Sequence, residues 1–450
     1  MLTQERPHSL IANHEHLRGL LGTYGPASLQ RLRDDALERF IKVGLPTIKD
    51  EEFKYTPLTE LRELNLLPSY GANLFRTDLE NTAVGGIEAI TLAFANGEYA
   101  PELSTEGILP EGVIFSTLRD ALETHEELVL KHLGRVHVLD NRLGTTNDER
   151  FRWLNTAYIS EGVFLYVPRN TVVEGLLHVM FASRADHGAF AAYPRVLIVL
   201  EEGAQAKVLE SHVGLSGMYF TNAVTEIVVG KRAHLEHIRF QSESPDAIHV
   251  ATVAAEQDGS SVLSSNSAQL GAKTSRVDLN FWVGGEHAET WLNGAYVGTG
   301  DQLVDNHTRI DHAVANCNSF EVYKGILGGH ATGVFNGKIF VYEDAQKTDA
   351  KQTNQAILLT PTAQVNTKPQ LEIFADDVKC THGATVGELR EDARFYLRSR
   401  GIPKQEADAI LVYAFAAEVL EKISVQSVRD ALEKALYNKL NEEAQPSRGE

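Results

Sequence analysis

The feature that most constrains the fold is a long succession of short strand-like segments between residues 162 and 372. Runs such as FLYV, RVLIVL, TEIVVG and LNFWVG are rich in β-branched and aromatic residues, and glycine, aspartate or asparagine bounds them. Gly203, Gly230, Gly259 and Gly285 follow one another at intervals of 27, 29 and 26 residues, each shortly before a strand. Repeated short strands without helical periodicity predict a β-solenoid, a sandwich or a propeller.

Turn signals help to choose among these three architectures. Tight antiparallel hairpins favour Asn-Gly turns, and this stretch contains only two such pairs, at Asn293 and Asn336. The strands are short and their spacing is even, as in a chain that winds in repeated turns. We therefore favour a parallel β-helix, although four glycines alone leave the sandwich and the propeller open.

Helical sequence flanks this β-rich zone on both sides. On the N-terminal side, apolar residues at helical spacing predict a helix from Ala27 to Val43 that ends at Gly44, and a second helix over 116–133. Between them, KDEEFKYTPL is polar and aromatic, and we predict an extended arm there. The predicted domains are a helical or mixed region over 1–150, a β-helix core over 151–385 and a helical domain over 386–450.

The C-terminal helices carry clear start and stop signals. One helix is predicted to end at Gly401, and the next to open at Pro403, the usual positions of a C′ glycine and an N1 proline. A third amphipathic helix is predicted over 425–440. Such helices could cap a solenoid or receive a partner protein, and spacing alone favours capping.

Charge and cysteine content exclude several classes of protein. The chain has 42 Lys plus Arg against 61 Asp plus Glu, a formal net charge of −19, which argues against binding nucleic acid or an anionic membrane. No apolar run is long enough to span a bilayer, and the first residues lack the pattern of a secretory signal. With only Cys317 and Cys380 present, we expect reduced thiols and a cytoplasmic location.

The common catalytic motifs are missing from the sequence. The segment GVFNGKI only approximates a Walker A loop, and GxGxxG, GxSxG, HExxH and CxxC do not occur. The histidine pairs His234/His237 and His307/His312 have spacings that point to opposite faces of a strand, so we interpret them as structural or surface residues. The sequence therefore predicts a protein that is not itself an enzyme.

One segment, LEIFADDVKCTHGATVGEL, contains a candidate metal-binding pair. Cys380 and His382 are two residues apart in a stretch that reads as extended, so both side chains are expected on one face. Thiolate and imidazole are good ligands for iron, zinc or copper, but zinc and iron–sulfur sites usually need about four donors. Nothing in the sequence brings Cys317 near. A metal site here would therefore take its remaining ligands from another chain, and the pair alone fits a buried cysteine beside a structural histidine better.

From this motif outward, the sequence resembles the SufB/SufD family of iron–sulfur cluster assembly scaffolds, and within it the SufD branch. The resemblance is carried over residues 305–403 by DNHTRIDH, NSFEVYKGIL, VFNGKIFVYEDAQKTDAKQTNQAILL, KPQLEIFADDVKCTHGATVGEL and FYLRSRGIP. A weaker similarity covers GLPTIKDEEFKYTPL at 44–58. Within the motif, Thr381 stands where the family frequently has serine.

This resemblance implies a mainly β fold, a right-handed parallel β-helix with an N-terminal helical region and a C-terminal helical subdomain. It implies a non-enzymatic scaffold that pairs with SufB and binds the SufC ATPase, which would hydrolyse ATP in its place. His382 and then Cys380 become the expected ligands of a transient iron–sulfur cluster or iron, shared with SufB and not tightly bound by the isolated chain. The expected SufC-docking residues are Phe395, Tyr396, Leu397, Arg398, Arg400, Gly401 and Ile402, which reverses the preference for capping.

Other interpretations stay open at this stage. Within the family, the chain could be a SufB-like paralogue, although SufB would be expected to have more than two cysteines. A carbohydrate-active β-helix enzyme would display carboxylates and basic residues along a groove, and no convincing stack is visible. A self-sufficient metalloprotein would have to combine Cys380, His382 and Cys317. A homodimer of the isolated chain is also compatible with the sequence.

Overall fold

A computed structural model describes residues 10–11, 25–68, 72, 74–80, 82–135 and 148–444. Its helices are α1 (Ala27–Val43), α2 (Thr59–Glu63), α3 (Arg76–Glu80), α4 (Leu118–Thr124), α5 (Glu126–His132), α6 (Arg150–Ala157), α7 (Glu391–Ser399), α8 (Lys404–Leu420) and α9 (Gln426–Ala444). Its strands are β1 (Leu67–Pro68), β2 (Ile90–Ala95), β3 (Glu98–Tyr99), β4 (Ile114–Thr117), β5 (Val163–Val167), β6 (Val172–Arg184), β7 (Phe190–Ala192), β8 (Arg195–Leu200), β9 (Gln205–Ser216), β10 (Tyr219–Val229), β11 (His234–Ser242), β12 (Ile248–Gln257), β13 (Val262–Gln269), β14 (Thr274–Val283), β15 (Glu289–Gly298), β16 (Leu303–His312), β17 (Asn318–Leu327), β18 (Thr332–Val341), β19 (Asp349–Leu358), β20 (Gln364–Ile373) and β21 (Lys379–Gly387).

The strands form two sheets that face each other across a common interior. From β8 onward the even-numbered strands build sheet A, which ends at β20, and the odd-numbered strands build sheet B, which ends at β21. Successive strands within each of these runs pair in parallel, as β12 does with β14 and β13 with β15. The chain thus winds through about eight turns of a parallel β-solenoid, which confirms the predicted β-helix and excludes the sandwich and the propeller.

The glycine repeat seen in the sequence marks one corner of this solenoid. At the seven successive turns from a sheet A strand to a sheet B strand between β5 and β19, one residue has a positive φ and, in most turns, donates its backbone N–H to a carbonyl of the following turn. For Ser260 the φ is 58° and the acceptor is the carbonyl of Glu286 at 2.8 Å. The positive-φ residues of this corner are Asn170, Gly203, Arg232, Ser260, His287, Asn316 and Lys347.

The N-terminal region is joined to the solenoid by strands as well as helices. β2 pairs in parallel with β6, and β4 pairs antiparallel with β5, so both sheets are extended by strands from before residue 150. Helix α1 has the predicted bounds and ends at Gly44, whose φ is 72°. The predicted second helix is observed as two shorter ones, α4 and α5.

The arm predicted over residues 49–58, described here with its flanking residues as 47–60, crosses the outer face of sheet A. Its conformation differs from the extended one that we predicted, because a turn and a short 3-10 helix (Glu51–Phe53) fold it. Phe53 is buried, and the Arg276 guanidinium lies 3.9 Å from the centre of its ring. Glu52 contacts His307 at 3.1 Å and forms an ion pair with Lys338, so the arm is held by both burial and charge.

Helices α8 and α9 lie against the outer face of sheet B. Val412, Ala416 and Leu420 of α8 belong to an apolar cluster that also contains Ile326 of β17. Lys324 of β17 forms an ion pair with Glu418 of α8, which fixes the helix on the sheet. Within the described ranges, no helix is long and apolar enough to cross a bilayer.

Candidate functional site

Cys380 and His382 lie on the last strand of sheet B. β21 pairs with β19 on one side and ends the sheet, so its other edge has no neighbouring strand within the described chain. Cys380 is aligned with Ala350 and His382 with Gln352, both of which are buried in the solenoid interior. The two side chains therefore share the inward face of the final turn, at its open end, where Cys380 is half-buried and His382 is exposed.

The environment of Cys380 keeps its thiol protonated. The side chain packs against the apolar cluster that includes Ile339, Val341 and Ala350. Burial raises the pKa of the Cys380 thiol, and the nearby Asp349 carboxylate raises it further, despite a backbone hydrogen bond that acts in the opposite direction. Because metal binding and sulfur transfer both use the thiolate, Cys380 needs a bound cation or a positively charged partner group to become reactive.

Cys317 does not complete a site with this pair. It precedes β17, two turns of the solenoid from β21, a separation of about 10 Å at the usual spacing between strands. Its thiol is buried and hydrogen-bonds the carbonyl oxygens of Gly285 at 3.3 Å and Ala315 at 3.4 Å. In the part of the chain that the structure describes, no group of three or more His, Cys, Asp or Glu side chains is arranged to hold a metal ion.

A buried polar group behind His382 was missed by the sequence analysis. Gln352 is aligned with His382 in the preceding turn of the solenoid, and Glu321 is aligned with Gln352 in the turn before that. Both are 1 % exposed. Burial raises the pKa of Glu321 to about 7, although hydrogen bonds from Thr308 and Gln352 favour its ionised form. The alternation of polar and apolar residues in NSFEVYKGIL places Glu321 on one face, but only the stacking of turns makes that face interior.

The histidine pairs that we interpreted as structural are divided between faces as their spacing predicts. His234 is exposed, whereas His237 is fully buried and lies 3.1 Å from the Glu210 carboxylate. In the second pair, His307 lies between the arm and sheet A, and His312 is inside the solenoid, 2.9 Å from the Ser319 hydroxyl. Each of the three buried histidines thus has a polar neighbour within the fold.

The residues that we predicted to dock an ATPase lie on α7 and the turn after it. Phe395 is 74 % exposed and Tyr396 is 57 % exposed, which is unusual for aromatic side chains that have no external partner. The turn closes as predicted, because Gly401 has a φ of 87° and donates its N–H to the carbonyl of Arg398. Of the other predicted residues, Arg398, Arg400 and Gly401 are exposed, and Leu397 and Ile402 are half-buried.

Comparison with protein families gives two matches that together cover nearly the whole chain. The SufBD core domain of the SUF system for FeS cluster assembly matches residues 181–415. The SufBD protein N-terminal region matches residues 5–179. The similarity that we recognised over 305–403 therefore extends through the whole solenoid and the N-terminal region.

Individual relatives agree with the family matches. An iron–sulfur cluster assembly SufBD family protein of Synechocystis is 33% identical over 413 residues, which are 89% of this chain and 88% of the relative. The iron–sulfur cluster assembly protein SufD of Escherichia coli is 32% identical over 403 residues, 87% of this chain and 89% of the relative. SufD of Bacillus subtilis is 26% identical over 436 residues, 92% of this chain and 94% of the relative. The chain therefore belongs to the SufBD family of iron–sulfur cluster assembly proteins.

Proposed function

We propose that the chain is a non-enzymatic, SufD-type scaffold subunit that supplies half of a site for iron or a nascent iron–sulfur cluster. The observation that carries this proposal is the position of Cys380 and His382 on one face of the final turn, whose strand β21 has no second neighbour among the described residues. The named SufD relatives support the SufD-type assignment. In this proposal the remaining ligands come from a homologous SufB subunit.

Cys380 and His382 fit an iron site that is shared with another chain better than an iron site that is complete in this chain. Imidazole and thiolate are both good donors for iron, but a stable site usually has about four donor atoms. The free edge of β21 offers unpaired backbone N–H and C=O groups, which suit pairing with a strand of another chain. Such pairing would bring new side chains to the inward face beside His382, and a bound cation there would lower the pKa of Cys380.

We assign ATP hydrolysis to a separate SufC ATPase, since the sequence of this chain has no Walker A loop. The exposed aromatic pair Phe395 and Tyr396 supports α7 as the docking element, because it projects from a helical domain that is already packed on sheet B. Aromatic residues are enriched at the centres of protein interfaces. The C-terminal helices would then both cover sheet B and receive the ATPase.

Anaerobic cluster reconstitution tests the proposed half-site. The chain is co-expressed with SufB and SufC, and complexes with wild-type chain, His382→Ala and His234→Ala are compared. His234 is a matched control because it is also an exposed strand histidine, but it lies on β11, five strand steps along sheet B from β21. We expect His382→Ala to assemble normally and to build markedly less cluster, while His234→Ala behaves like wild type. Normal cluster formation by His382→Ala would refute the half-site.

A further inference from the structure

Three side chains of successive turns form a column that ends at the proposed half-site. In the parallel register of sheet B, Glu321 of β17 is aligned with Gln352 of β19, and Gln352 with His382 of β21. All three point to the interior face, and neighbouring strands of a sheet are about 4.8 Å apart. Gln352 is therefore directly behind His382, and Glu321 is directly behind Gln352.

The lower part of this column is tied together by hydrogen bonds. The Gln352 Nε2 group donates to Oε2 of Glu321 at 2.8 Å, and the Thr308 hydroxyl donates to Oε1 of Glu321 at 2.6 Å. Both carboxyl oxygens of Glu321 are thus occupied. Gly337 of sheet A leaves space for this arrangement, because a Cβ atom at that position would lie 2.3 Å from Gln352 Nε2.

The carbonyl oxygen of the Gln352 amide has no hydrogen-bond partner among the described residues. This atom, Oε1, is buried. The nitrogen and oxygen of an amide leave the trigonal Cδ in different directions, so with Nε2 bonded to Glu321, Oε1 points away from the Glu321 carboxylate. The next side chain of the column in that direction is His382. An unpaired buried carbonyl oxygen is unfavourable, and a donor from His382 would offset this cost.

We infer that Gln352 and Glu321 are positioning residues for His382: the Gln352 carbonyl accepts the N–H of the imidazole, and Glu321 fixes the orientation of the Gln352 amide. A neutral imidazole has one N–H and one nitrogen with a free lone pair. With the N–H held inward, the lone pair faces the open end of the solenoid, where a metal ion would bind. The same arrangement, a ligand histidine whose second nitrogen is hydrogen-bonded, is common in metal sites. The functional significance of this hydrogen bond rests on the proposed ligand role of His382. The hydrogen bond itself does not, because it can be tested without metal.

Histidine NMR on the full-length, metal-free chain provides the test. The ¹⁵N-histidine-labelled protein is recorded at a pH where the imidazole is neutral, and the signals of His382 are assigned by their loss in His382→Ala. We expect one tautomer to predominate in the wild type. In Gln352→Met, which keeps the length of the side chain but removes the amide, its excess should fall about fivefold, the factor that one ordinary net hydrogen bond gives.

Asn354→Leu is the matched control. Asn354 is fully buried on the same strand, donates its amide to the Thr367 hydroxyl at 2.9 Å and is aligned with Ala384 rather than with His382. This variant should leave the His382 tautomer ratio unchanged. Glu321→Gln should lower the ratio partially, since it frees the Gln352 amide to turn over. Should Gln352→Met fail to fold, Gln352→Leu replaces it.

The outcomes separate this inference from the proposed function. An unchanged tautomer ratio in the Gln352 variants, or a wild-type ring without a preferred tautomer, would overturn the positioning role. If the ratio changes as expected but His382→Ala builds clusters normally in the complex, the hydrogen bond stands and the ligand role of His382 is refuted.

Discussion

At the scale of single residues, Glu321 is a carboxyl group placed where water does not reach. Its pKa is raised to about 7 by burial, against 4.5 for an exposed glutamate. Below pH 4.5 both the folded and the unfolded state bind the proton. Between pH 4.5 and about 7 the unfolded state releases it while the folded state keeps it, so the free energy of unfolding falls as the pH rises. Above that range this contribution stays constant.

The variant Glu321→Gln should remove this dependence because glutamine does not ionise. Relative to the variant, the wild type should lose about 3 kcal/mol of stability between pH 4.5 and 7.5, at about 1.4 kcal/mol for each pH unit of difference. Urea unfolding at a series of pH values measures the difference. The exposed Glu343 provides the control, and Glu343→Gln should follow the wild type within about 0.5 kcal/mol. A constant difference between wild type and Glu321→Gln across this range would contradict the prediction.

At the scale of elements, the corner of positive-φ residues limits which side chains a turn accepts. Ser260 has a φ of 58°, an exposed side chain and a backbone hydrogen bond to the next turn. Glycine adopts this conformation without strain, and β-branched residues resist it. We therefore expect Ser260→Gly to raise the free energy of unfolding by about 1 kcal/mol and Ser260→Val to lower it by about 1–2 kcal/mol.

Urea midpoints of the purified variants measure this effect. Ser216 is a suitable control, since it is an exposed serine at the end of β9 and is not among the residues with a positive φ. There the same change to glycine should be destabilising, because glycine only adds freedom to the unfolded chain. Equal effects of glycine at the two positions would show that the corner conformation is not strained.

The helices, the turns and the arm also show which structural features could be predicted from the sequence alone. The end of α1 at Gly44 and the turn at Gly401 depend on local signals, and both were predicted correctly. The repeat of glycines marked the solenoid corner because the same backbone conformation, with one residue at positive φ, recurs there in successive turns. The arm was predicted wrongly as extended, since its 3-10 turn depends on the burial of Phe53 against a distant strand. Gln352 and Glu321 were not recognised, because their relation to His382 exists only after the turns have stacked.

At the scale of the whole molecule, the exposed aromatic pair on α7 is where we expect the proposed SufC-type ATPase to bind. Truncation before α7 would be a poor test, because α8 and α9 cover apolar surface of sheet B. The double variant Phe395→Asp/Tyr396→Asp instead changes side chains that are 74 % and 57 % exposed. We expect it to lower the affinity for a SufC-type ATPase at least tenfold, as loss of central aromatic contacts usually does. Calorimetric titration with the purified ATPase gives the affinity.

A second exposed aromatic residue controls for this experiment. Phe75 is 66 % exposed in the N-terminal region, and Phe75→Asp should bind the ATPase as the wild type does. Thermal unfolding should change little in either variant, since neither removes buried surface. Undiminished binding by the double variant would contradict the docking role of α7.

The arm across sheet A has a consequence for the evolution of this molecule. Its residues 51–60 contact Lys273 before β14, Asp305 on β16, Lys338 on β18 and Lys368 on β20, thus four consecutive turns. Solenoids usually gain and lose whole repeats with ease, because each repeat contacts only its neighbours. Here the arm has a fixed length and contacts four turns at fixed positions along the solenoid. A duplicated or deleted turn between β14 and β20 would move these contacts out of register. We therefore expect selection to keep the number of turns in this segment unchanged, because a peptide that belongs to none of the turns contacts all of them.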